Sequence, residues 1–328
     1  MKLIEEKFGE YAVLTGCLHE YSEETPNIPN YPAILILPGG GFRTCSYREG
    51  EPVAMAYYAA GFQTFVLKYT VVTDKPDAVI ADPIADVCQA MAFIRGHEAE
   101  LLCRHNSLAL LGFSGGGHLA AAVATHCNPK PDALLLGYPG IIHSDLRALD
   151  CPDIPEQVSA ELPPCFLFGM HGDSVTPPIH LLTFACALEK VKVPFELHLF
   201  RGQGHGLSLG TALTSAGFAS DVNNDYGQWM QMSLRWLRDV FGDFLLYGCN
   251  DGRQGKYSID CTVETLFANQ TTWQVCLNTM PVLEKFAKGE SAGEMTPRRI
   301  NSFMHILSAQ ALENMDAQLL QCGGIMPG

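Results

Sequence analysis

The sequence predicts an α/β fold, with a doubly wound, mainly parallel sheet followed by a small all-helical appendage at the C-terminus. Short apolar runs bounded by turn residues alternate with amphipathic helical patterns, as they do in βαβ units. Within each run the apolar residues are contiguous, which is typical of strands that are buried on both faces. Beyond about residue 250, helical patterns continue with no strand between them.

Six apolar runs are predicted to form the parallel strands, because each is short and ends at turn-forming residues. They span residues 31–38, 61–69, 107–113, 132–139, 163–170 and 193–200. An earlier segment, residues 11–21, alternates apolar and polar side chains. We therefore expect it to add an antiparallel strand at the edge of the sheet.

Helices are predicted between the strands. One is expected to begin with Asp82 as N-cap and Pro83 in its first turn, because Pro is favoured at that position. Its apolar face consists of Ile84, Val87, Met91 and Ile94. Three further helices are predicted at residues 116–126, 178–190 and 226–241.

The chain is predicted to divide near residue 250. Residues 245–258 are rich in Gly, Asn and Asp, which is typical of a linker. We expect a sheet domain over residues 1–248 and a helical module over residues 256–322. The module contains many large apolar residues that must be buried, so we expect it to pack against the sheet domain or to form a homo-oligomer through its helices.

Within that module, two patterns indicate helices. Thr296 followed by Pro297 is a typical helix start, and Leu312, Met315 and Leu319 recur along one helical face.

Composition excludes several classes of function. The net charge of −14 argues against a nucleic-acid partner. No apolar stretch approaches the roughly 18–20 residues of a membrane span, and the N-terminus lacks the apolar segment of a signal peptide, so we expect a cytoplasmic protein. The twelve cysteines lie at least twelve positions apart, which indicates reduced thiols. Neither zinc-type spacing nor H-E-x-x-H occurs, so no metal or cofactor is expected.

Ser114 is the candidate nucleophile. It lies in Gly112-Phe113-Ser114-Gly115-Gly116, a G-x-S-x-G motif between a predicted strand and a predicted helix. In this context the motif forms a sharp turn that projects the hydroxyl above the sheet, at the N-terminus of a helix.

A serine hydroxyl needs a base to take its proton, and in hydrolases with this turn the order is serine, acid, histidine. Asp173 follows the strand at 163–170, and His205 follows the strand at 193–200 in a glycine-rich loop. We therefore predict these two residues as acid and base. The alternatives are Asp145 as the acid and His171, His198 or His118 as the base.

The oxyanion formed during acyl transfer needs hydrogen-bond donors. Gly39, Gly40 and Gly41 follow an early strand, and we predict the backbone N–H groups of Gly40, Gly41 and Gly115 as donors. We also expect Phe42 to contact the substrate. A nucleotide-binding loop is the alternative, but the G-x-G-x-x-G spacing is missing.

These motifs together resemble the bacterial acetyl esterase group of α/β hydrolases, including its acetylxylan-esterase-like and feruloyl-esterase-like members. The resemblance covers roughly residues 10–240. It rests on "LPGGGF", "YREGEPVAMAYYAAGFQTFVLKY", "LGFSGGGHLAA", "KPDALLLGYP" and "VPFELHLFRGQGHGLSL". The chain departs from the group at Pro38, where many members have His, and at Gly115, where Ala is frequent. The C-terminal segment is similar to a helical module appended to some bacterial carbohydrate-active enzymes.

The resemblance implies Ser114, Asp173 and His205 as a catalytic triad. It also implies a carboxylic ester hydrolase that removes short acyl groups, above all O-acetyl groups, from sugars or xylo-oligosaccharides. Its partner would be a small acylated substrate. The alternatives are a serine peptidase or another acyl hydrolase of the same fold, and a non-catalytic binding protein on a hydrolase frame.

Overall fold

The computed structural model describes residues 1–142, 148–151, 153–244, 256–287, 289 and 292–322. Internal contacts divide the chain into two units: Met1–Glu20 with Asn30–Asp243, and Tyr21–Pro29 with Phe244–Gly328. The grouping of residues 21–29 with the C-terminal segment was not predicted from the sequence. The limits 1–248 and 256–322 remain predictions, since most of the linker region lies outside the described residues.

The first unit contains an eight-stranded sheet in the order β1-β2-β4-β3-β5-β6-β7-β8. β1 and β2 pair antiparallel, β2 pairs antiparallel with β4, and the remaining pairs are parallel. The strands are β1 (Lys2–Phe8), β2 (Ala12–Leu18), β3 (Tyr31–Leu37), β4 (Gln63–Lys68), β5 (Cys103–Phe113), β6 (Ala133–Gly137), β7 (Cys165–Gly172) and β8 (Phe195–Gln203).

The predicted fold class is confirmed: a mainly parallel sheet with helices between its strands, and a helical C-terminal region. All six apolar runs form strands, β3 to β8. One detail was wrong. The segment at 11–21 forms β2, which is antiparallel but not at the edge, because β1 pairs along its outer side. β1 was missed because its sequence, "KLIEEKF", is short and highly charged, and its side chains are exposed or half-buried.

The helices of this unit are α1 (Glu51–Ala59), α2 (Ala81–Gly96), α3 (Ser114–His126), α4 (Ile179–Val191), α5 (Asn224–Gly227) and α6 (Trp229–Phe241). Helix α1 was not predicted from the sequence. The predicted start of α2 was wrong, because the N-cap is Ile80 and Asp82 lies inside the first turn. There the Asp82 carboxylate accepts the Val79 N–H and pairs with Lys75.

Both faces of the sheet carry a hydrophobic core. Every residue of β3 and of β6 is buried, as their continuous apolar sequences predict. Since β3, β5, β7 and β8 run parallel, their carboxyl ends meet at one edge of the sheet. The loops that follow these strands therefore converge there, and those loops carry all the candidate site residues.

The C-terminal unit contains α7 (Val263–Phe267), α8 (Gln270–Thr279), α9 (Pro297–Met304) and α10 (Ala309–Gln321). Each begins with a polar cap whose side chain accepts a backbone N–H of the first turn. The caps are Thr262, Asn269, Thr296 and Ser308. The predicted start at Thr296 is confirmed, and Leu312, Met315 and Leu319 are buried as their spacing indicates.

None of the helices in the described part of the chain is long and apolar enough to span a lipid bilayer.

The C-terminal helices expose apolar side chains, and self-association through them remains a prediction. Phe303 is 69% exposed, and Met304 and Ile306 lie beside it in the sequence. If this surface joins two copies, the double variant Phe303→Ser, Met304→Ser should lower the solution mass from that of the wild type to that of one chain. The mass is measured by light scattering over a range of concentrations. Leu213→Ser, at a position 72% exposed in the first unit, is the control. A wild-type mass of one chain would refute the association.

Candidate active site

Three side chains from three loops form one hydrogen-bonded line at the carboxyl edge of the sheet. Ser114 Oγ lies 2.9 Å from His205 Nε2. His205 Nδ1 lies 2.8 Å from Asp173 Oδ2. This arrangement keeps the Nδ1 proton on the carboxylate side and leaves the Nε2 lone pair facing the serine hydroxyl. The structure thus brings together the three residues that the sequence predicted as nucleophile, base and acid.

Ser114 begins α3 directly after β5, and its φ of 49° lies in the left-handed region. A non-glycine residue there is strained, which is expected where a sharp turn aims a nucleophile. The turn also needs Gly116: a Cβ at that position would collide with the backbone oxygens of Leu37 and Pro38. This sharp turn at Ser114, called the elbow from here on, therefore lies in direct backbone contact with the end of β3.

Asp173, only 4% exposed, follows β7. Its Oδ1 accepts the N–H groups of Val175 (2.8 Å) and Thr176 (3.0 Å). Burial by itself raises the pKa of the Asp173 carboxyl, but the hydrogen bond and charge of His205 and these backbone N–H groups outweigh it, and the pKa is lowered. Asp173 is therefore ionised at neutral pH and can orient His205.

Thr176 extends this group. Its Oγ1 lies 3.1 Å from Asp173 Oδ2, 3.2 Å from His205 Nδ1 and 3.0 Å from the Tyr138 carbonyl oxygen. The hydroxyl therefore contacts the acid, the base and the end of β6 together. Thr176 was not identified from the sequence, because no local pattern marks a threonine three residues after an aspartate.

The glycine loop after β3 lies against the elbow. Gly40 has φ 136° and Gly41 has φ 59°, conformations that glycine adopts readily. A Cβ placed on Gly115 would lie 3.0 Å from the Gly41 nitrogen, so the two backbones nearly touch. Within the described chain, no backbone or side-chain group accepts the N–H of Gly40 or Gly41. These donors are available to an anion beside Ser114.

The expectation for Phe42 needs correction. Its side chain is fully buried, with the ring edge-on to Tyr69 and His118, and it does not line the cavity at Ser114. Its φ of 63° reverses the chain after the glycines and sends the ring into the core. Phe42 therefore supports the loop from beneath and does not contact substrate through its side chain.

The alternative residues occupy other places. His118 is buried inside α3, His198 lies within β8 beside Glu196, and His171 is exposed at the end of β7. None of the three belongs to the described lining of the cavity at Ser114. Asp145 lies outside the described residues.

A cavity of about 440 Å³ opens above Ser114. Among the described residues, its lining combines small and polar residues with a single aliphatic side chain, Val175. The lining residues are Gly40, Gly41, Arg43, Ser46, Arg48, Glu49, Ser114, Gly115, Gly140, Val175, Thr176, His205 and Gly206. The cavity suits a small acyl group attached to a polar molecule.

Two neighbouring residues that the sequence analysis missed connect the loops of this site. Arg48 Nη1 donates to the carbonyl oxygens of Gly206 (3.0 Å) and Thr214 (2.8 Å), beyond the histidine. Glu49 accepts the N–H of Gly39, in the glycine loop, at 2.7 Å. Both residues lie in the stretch "YREGEPVAMAYYAAGFQTFVLKY", but nothing in it marks their contacts: Arg48 bonds to residues 158 and 166 positions away, and Glu49 bonds to Gly39, ten positions back.

Among the described residues, no group of three or more His, Cys, Asp or Glu side chains lies close enough together to hold a metal ion.

Comparison with known proteins identifies the family. The crystal structure of MGS-M1, an α/β hydrolase enzyme from a Medee basin deep-sea metagenome library, is 35% identical in sequence and superposes with a TM-score of 0.69. The match covers 73% of this chain and 98% of that one. The chain belongs to the α/β-hydrolase family. The BD-FAE family model matches residues 21–143 of this hydrolase.

Of two further relatives, one is named as an ester hydrolase and the other as a xylanase. An acetyl ester-xyloside bifunctional hydrolase from Caldicellulosiruptor lactoaceticus is 29% identical, with a TM-score of 0.61, over 72% of this hydrolase and 90% of that chain. Endo-1,4-beta-xylanase B from Butyrivibrio fibrisolvens is 31% identical over 205 residues, or 54% of this chain and 32% of its own. The hydrolase spans less than half the length of the curated relatives it matches. The resemblance to esterases of the α/β-hydrolase family is confirmed.

Proposed function

We propose that this α/β hydrolase is a serine carboxylic-ester hydrolase that removes short acyl groups, O-acetyl above all, from sugars or xylo-oligosaccharides. The observation that carries the proposal is the continuous hydrogen-bonded line from Ser114 through His205 to Asp173. A serine so placed has a base for its proton, and the base has a carboxylate that orients it.

In the first half of the proposed reaction, Ser114 Oγ attacks the ester carbonyl carbon while His205 Nε2 takes the hydroxyl proton. The carbonyl oxygen becomes an oxyanion beside the N–H groups of Gly40, Gly41 and Gly115. Collapse of this intermediate breaks the bond to the alcohol oxygen, which receives the proton from His205. An acyl-enzyme on Ser114 and a free alcohol remain.

The second half repeats these steps with water. His205 takes a proton from a water molecule, whose oxygen attacks the acyl carbon. The new oxyanion collapses, the bond to Ser114 Oγ breaks, and His205 returns its proton to the serine. The products are the free acid and the restored enzyme, with all atoms accounted for by ester and water.

Two features support a short acyl group on a sugar. The described lining of the cavity has one aliphatic side chain, Val175, so a long acyl chain would find few apolar side chains to pack against. Arg43 and Ser46 line the same cavity and can hydrogen-bond to sugar hydroxyls. The names of the relatives, an acetyl ester-xyloside hydrolase and a xylanase, agree with acylated xylo-oligosaccharides as substrates.

The test of substrate class is acetate release from a panel of acetylated and deacetylated oligosaccharides, including acetylated xylo-oligosaccharides. We expect acetate release from the acetylated xylo-oligosaccharides at rates comparable to those on p-nitrophenyl acetate. Turnover of p-nitrophenyl acetate with no release from any acetylated sugar would remove the sugar from the proposal and keep the esterase.

Acyl length should strongly affect the rate. For p-nitrophenyl esters, we expect kcat/KM to fall by about 100-fold or more between the acetyl and octanoyl compounds, because each unaccommodated methylene costs about 1–3 kcal/mol. The measurement is initial rates for the two-, three-, four-, six- and eight-carbon esters at one pH. A profile that is flat or rises towards eight carbons would contradict the short-acyl assignment.

A further inference from the structure

The buried carboxylate of Glu49 has no part in the reaction as described so far. It ends a short 3-10 turn, Tyr47–Glu49, just before α1, and it is only 3% exposed. Burying a charged carboxylate is costly unless polar groups or opposite charges compensate for it. Its position therefore needs an explanation.

Both carboxylate oxygens act as hydrogen-bond acceptors. Oε2 accepts the Gly39 N–H at 2.7 Å, and Oε1 accepts the Tyr138 hydroxyl at 2.6 Å. The Tyr138 hydroxyl in turn accepts the Ser208 N–H at 3.1 Å, three residues beyond His205. Glu49 is thus connected to the glycine loop on one side and to the histidine loop on the other.

Tyr138 is held tightly between these groups. It has φ 35°, an unfavourable conformation for a residue with a side chain, and its ring packs edge-on to the His205 ring with centroids 5.0 Å apart. Glu49 Oε1 itself lies 3.8 Å from where a Cβ on Gly206 would stand. The carboxylate is therefore a near neighbour of His205 without touching the reacting atoms.

The charges around the site determine what this carboxylate can do. Burial raises the pKa of Glu49 above its usual value, and the hydrogen bonds from Tyr138 and Gly39 and the charges of His205 and Arg48 offset this only in part. Among the described residues, Asp173, Glu49 and Arg48 stand around His205 with the hydroxyls of Tyr138 and Thr176, and Arg43 lines the same cavity. Tyr69 and Tyr226 lie near Glu49. When Glu49 is ionised, its carboxylate and that of Asp173 stabilise positive charge on the imidazole, and the guanidinium groups of Arg48 and Arg43 oppose them.

We propose that Glu49 is a positioning residue that also serves as a second counter-charge: it fixes the glycine loop and Tyr138, and it stabilises the positive charge that His205 gains in each half of the reaction. This inference rests on the proposed function, because His205 becomes positively charged only if it takes the proton of Ser114 or of water. Asp173 contacts Nδ1 directly, and Glu49 is a second carboxylate nearby, held by the Tyr138 hydroxyl.

The test is the pH profile of Glu49→Gln on p-nitrophenyl acetate. Glutamine keeps the shape and one oxygen acceptor but removes the charge. With less negative charge nearby, imidazolium is less stable and His205 loses its proton at lower pH. The acidic limb of the kcat/KM profile should therefore move to lower pH by about 0.5–1 unit, while kcat at the optimum falls about 10- to 100-fold. An acidic limb at the wild-type position would overturn the counter-charge role.

Glu51→Gln is the matched control. Glu51 is two residues away and exposed, so its substitution changes the net charge equally but leaves the site intact. For Glu51→Gln we expect the wild-type kcat and an acidic limb at the wild-type pH. A shift of the limb equal to that of Glu49→Gln would overturn the proposal.

If Glu49→Gln does not fold, the variant Glu49→Asp provides the test. Aspartate keeps the charge, but its shorter side chain cannot reach both Gly39 and Tyr138, so kcat should fall about tenfold. A kcat within twofold of the wild-type value would overturn the proposal.

The outcomes also separate this inference from the proposed function. If the wild type does not hydrolyse p-nitrophenyl acetate, or if the loss of Ser114 leaves the rate intact, the esterase proposal fails. If both of those results support an esterase while Glu49→Gln matches the wild type in rate and in pH profile, only the role of Glu49 fails.

Discussion

Replacing Ser114 with alanine should lower kcat/KM on p-nitrophenyl acetate by about 10⁴-fold or more, with the fold intact. The substitution removes the nucleophile, and losing a triad member typically costs several orders of magnitude. It removes one hydroxyl from a half-buried position, so the thermal unfolding temperature should stay close to that of the wild type. The measurement combines initial rates with labelling by a fluorescent fluorophosphonate, which should modify the wild type but not Ser114→Ala.

Ser46→Ala is the control for this variant. Ser46 lines the same cavity, but its hydroxyl has no contact with His205 among the described residues. We expect it to keep more than a tenth of the wild-type rate and to be labelled. If Ser114→Ala retained a tenth of the wild-type rate, the assignment of the nucleophile would be wrong.

Asp173→Asn should lower kcat on the same ester by about 10³- to 10⁴-fold with little change in KM. Asparagine fills the same space but presents an amide to His205 Nδ1, which favours the wrong tautomer and leaves the imidazolium without its carboxylate. The variant should fold, because an asparagine side-chain oxygen can still accept the N–H groups of Val175 and Thr176.

Asp145→Asn is the comparison variant, because Asp145 was the alternative acid in the sequence. We expect it to retain a rate within a few-fold of the wild type. If instead Asp145→Asn lost activity and Asp173→Asn kept it, the acid of the triad would have to be reassigned to Asp145.

The residues predicted from sequence share one property: each has a local signal. Ser114 stands in a glycine pattern between a strand and a helix, and His205 stands between glycines just after a strand. The apolar runs in the sequence show where each strand ends, and in a parallel sheet the carboxyl ends of the strands lie at the same edge of the sheet. The meeting of Ser114, Asp173 and His205 therefore follows from order and topology alone.

Glu49 and Tyr138 could not be found in the same way. In the sequence, Glu49 looks like an acidic residue before a helix, where a carboxylate is ordinarily exposed and favours the helix dipole. Its burial depends on Tyr138, which lies 89 residues further along the chain. Phe42 illustrates the converse error. Its place after three glycines suggested a substrate contact, but a positive φ turns its side chain into the core.

Arg48 has a consequence for how the chain acquires activity. Its contacts with Gly206 and Thr214 span 158 and 166 residues, whereas the turns and helices that surround it form from neighbouring residues. Closing so long a loop is entropically costly and is repaid only after the sheet between the two ends has assembled. On refolding from denaturant, helical circular dichroism should therefore recover first, and ester hydrolysis should return last. A partly folded chain would have most of its secondary structure and no working site.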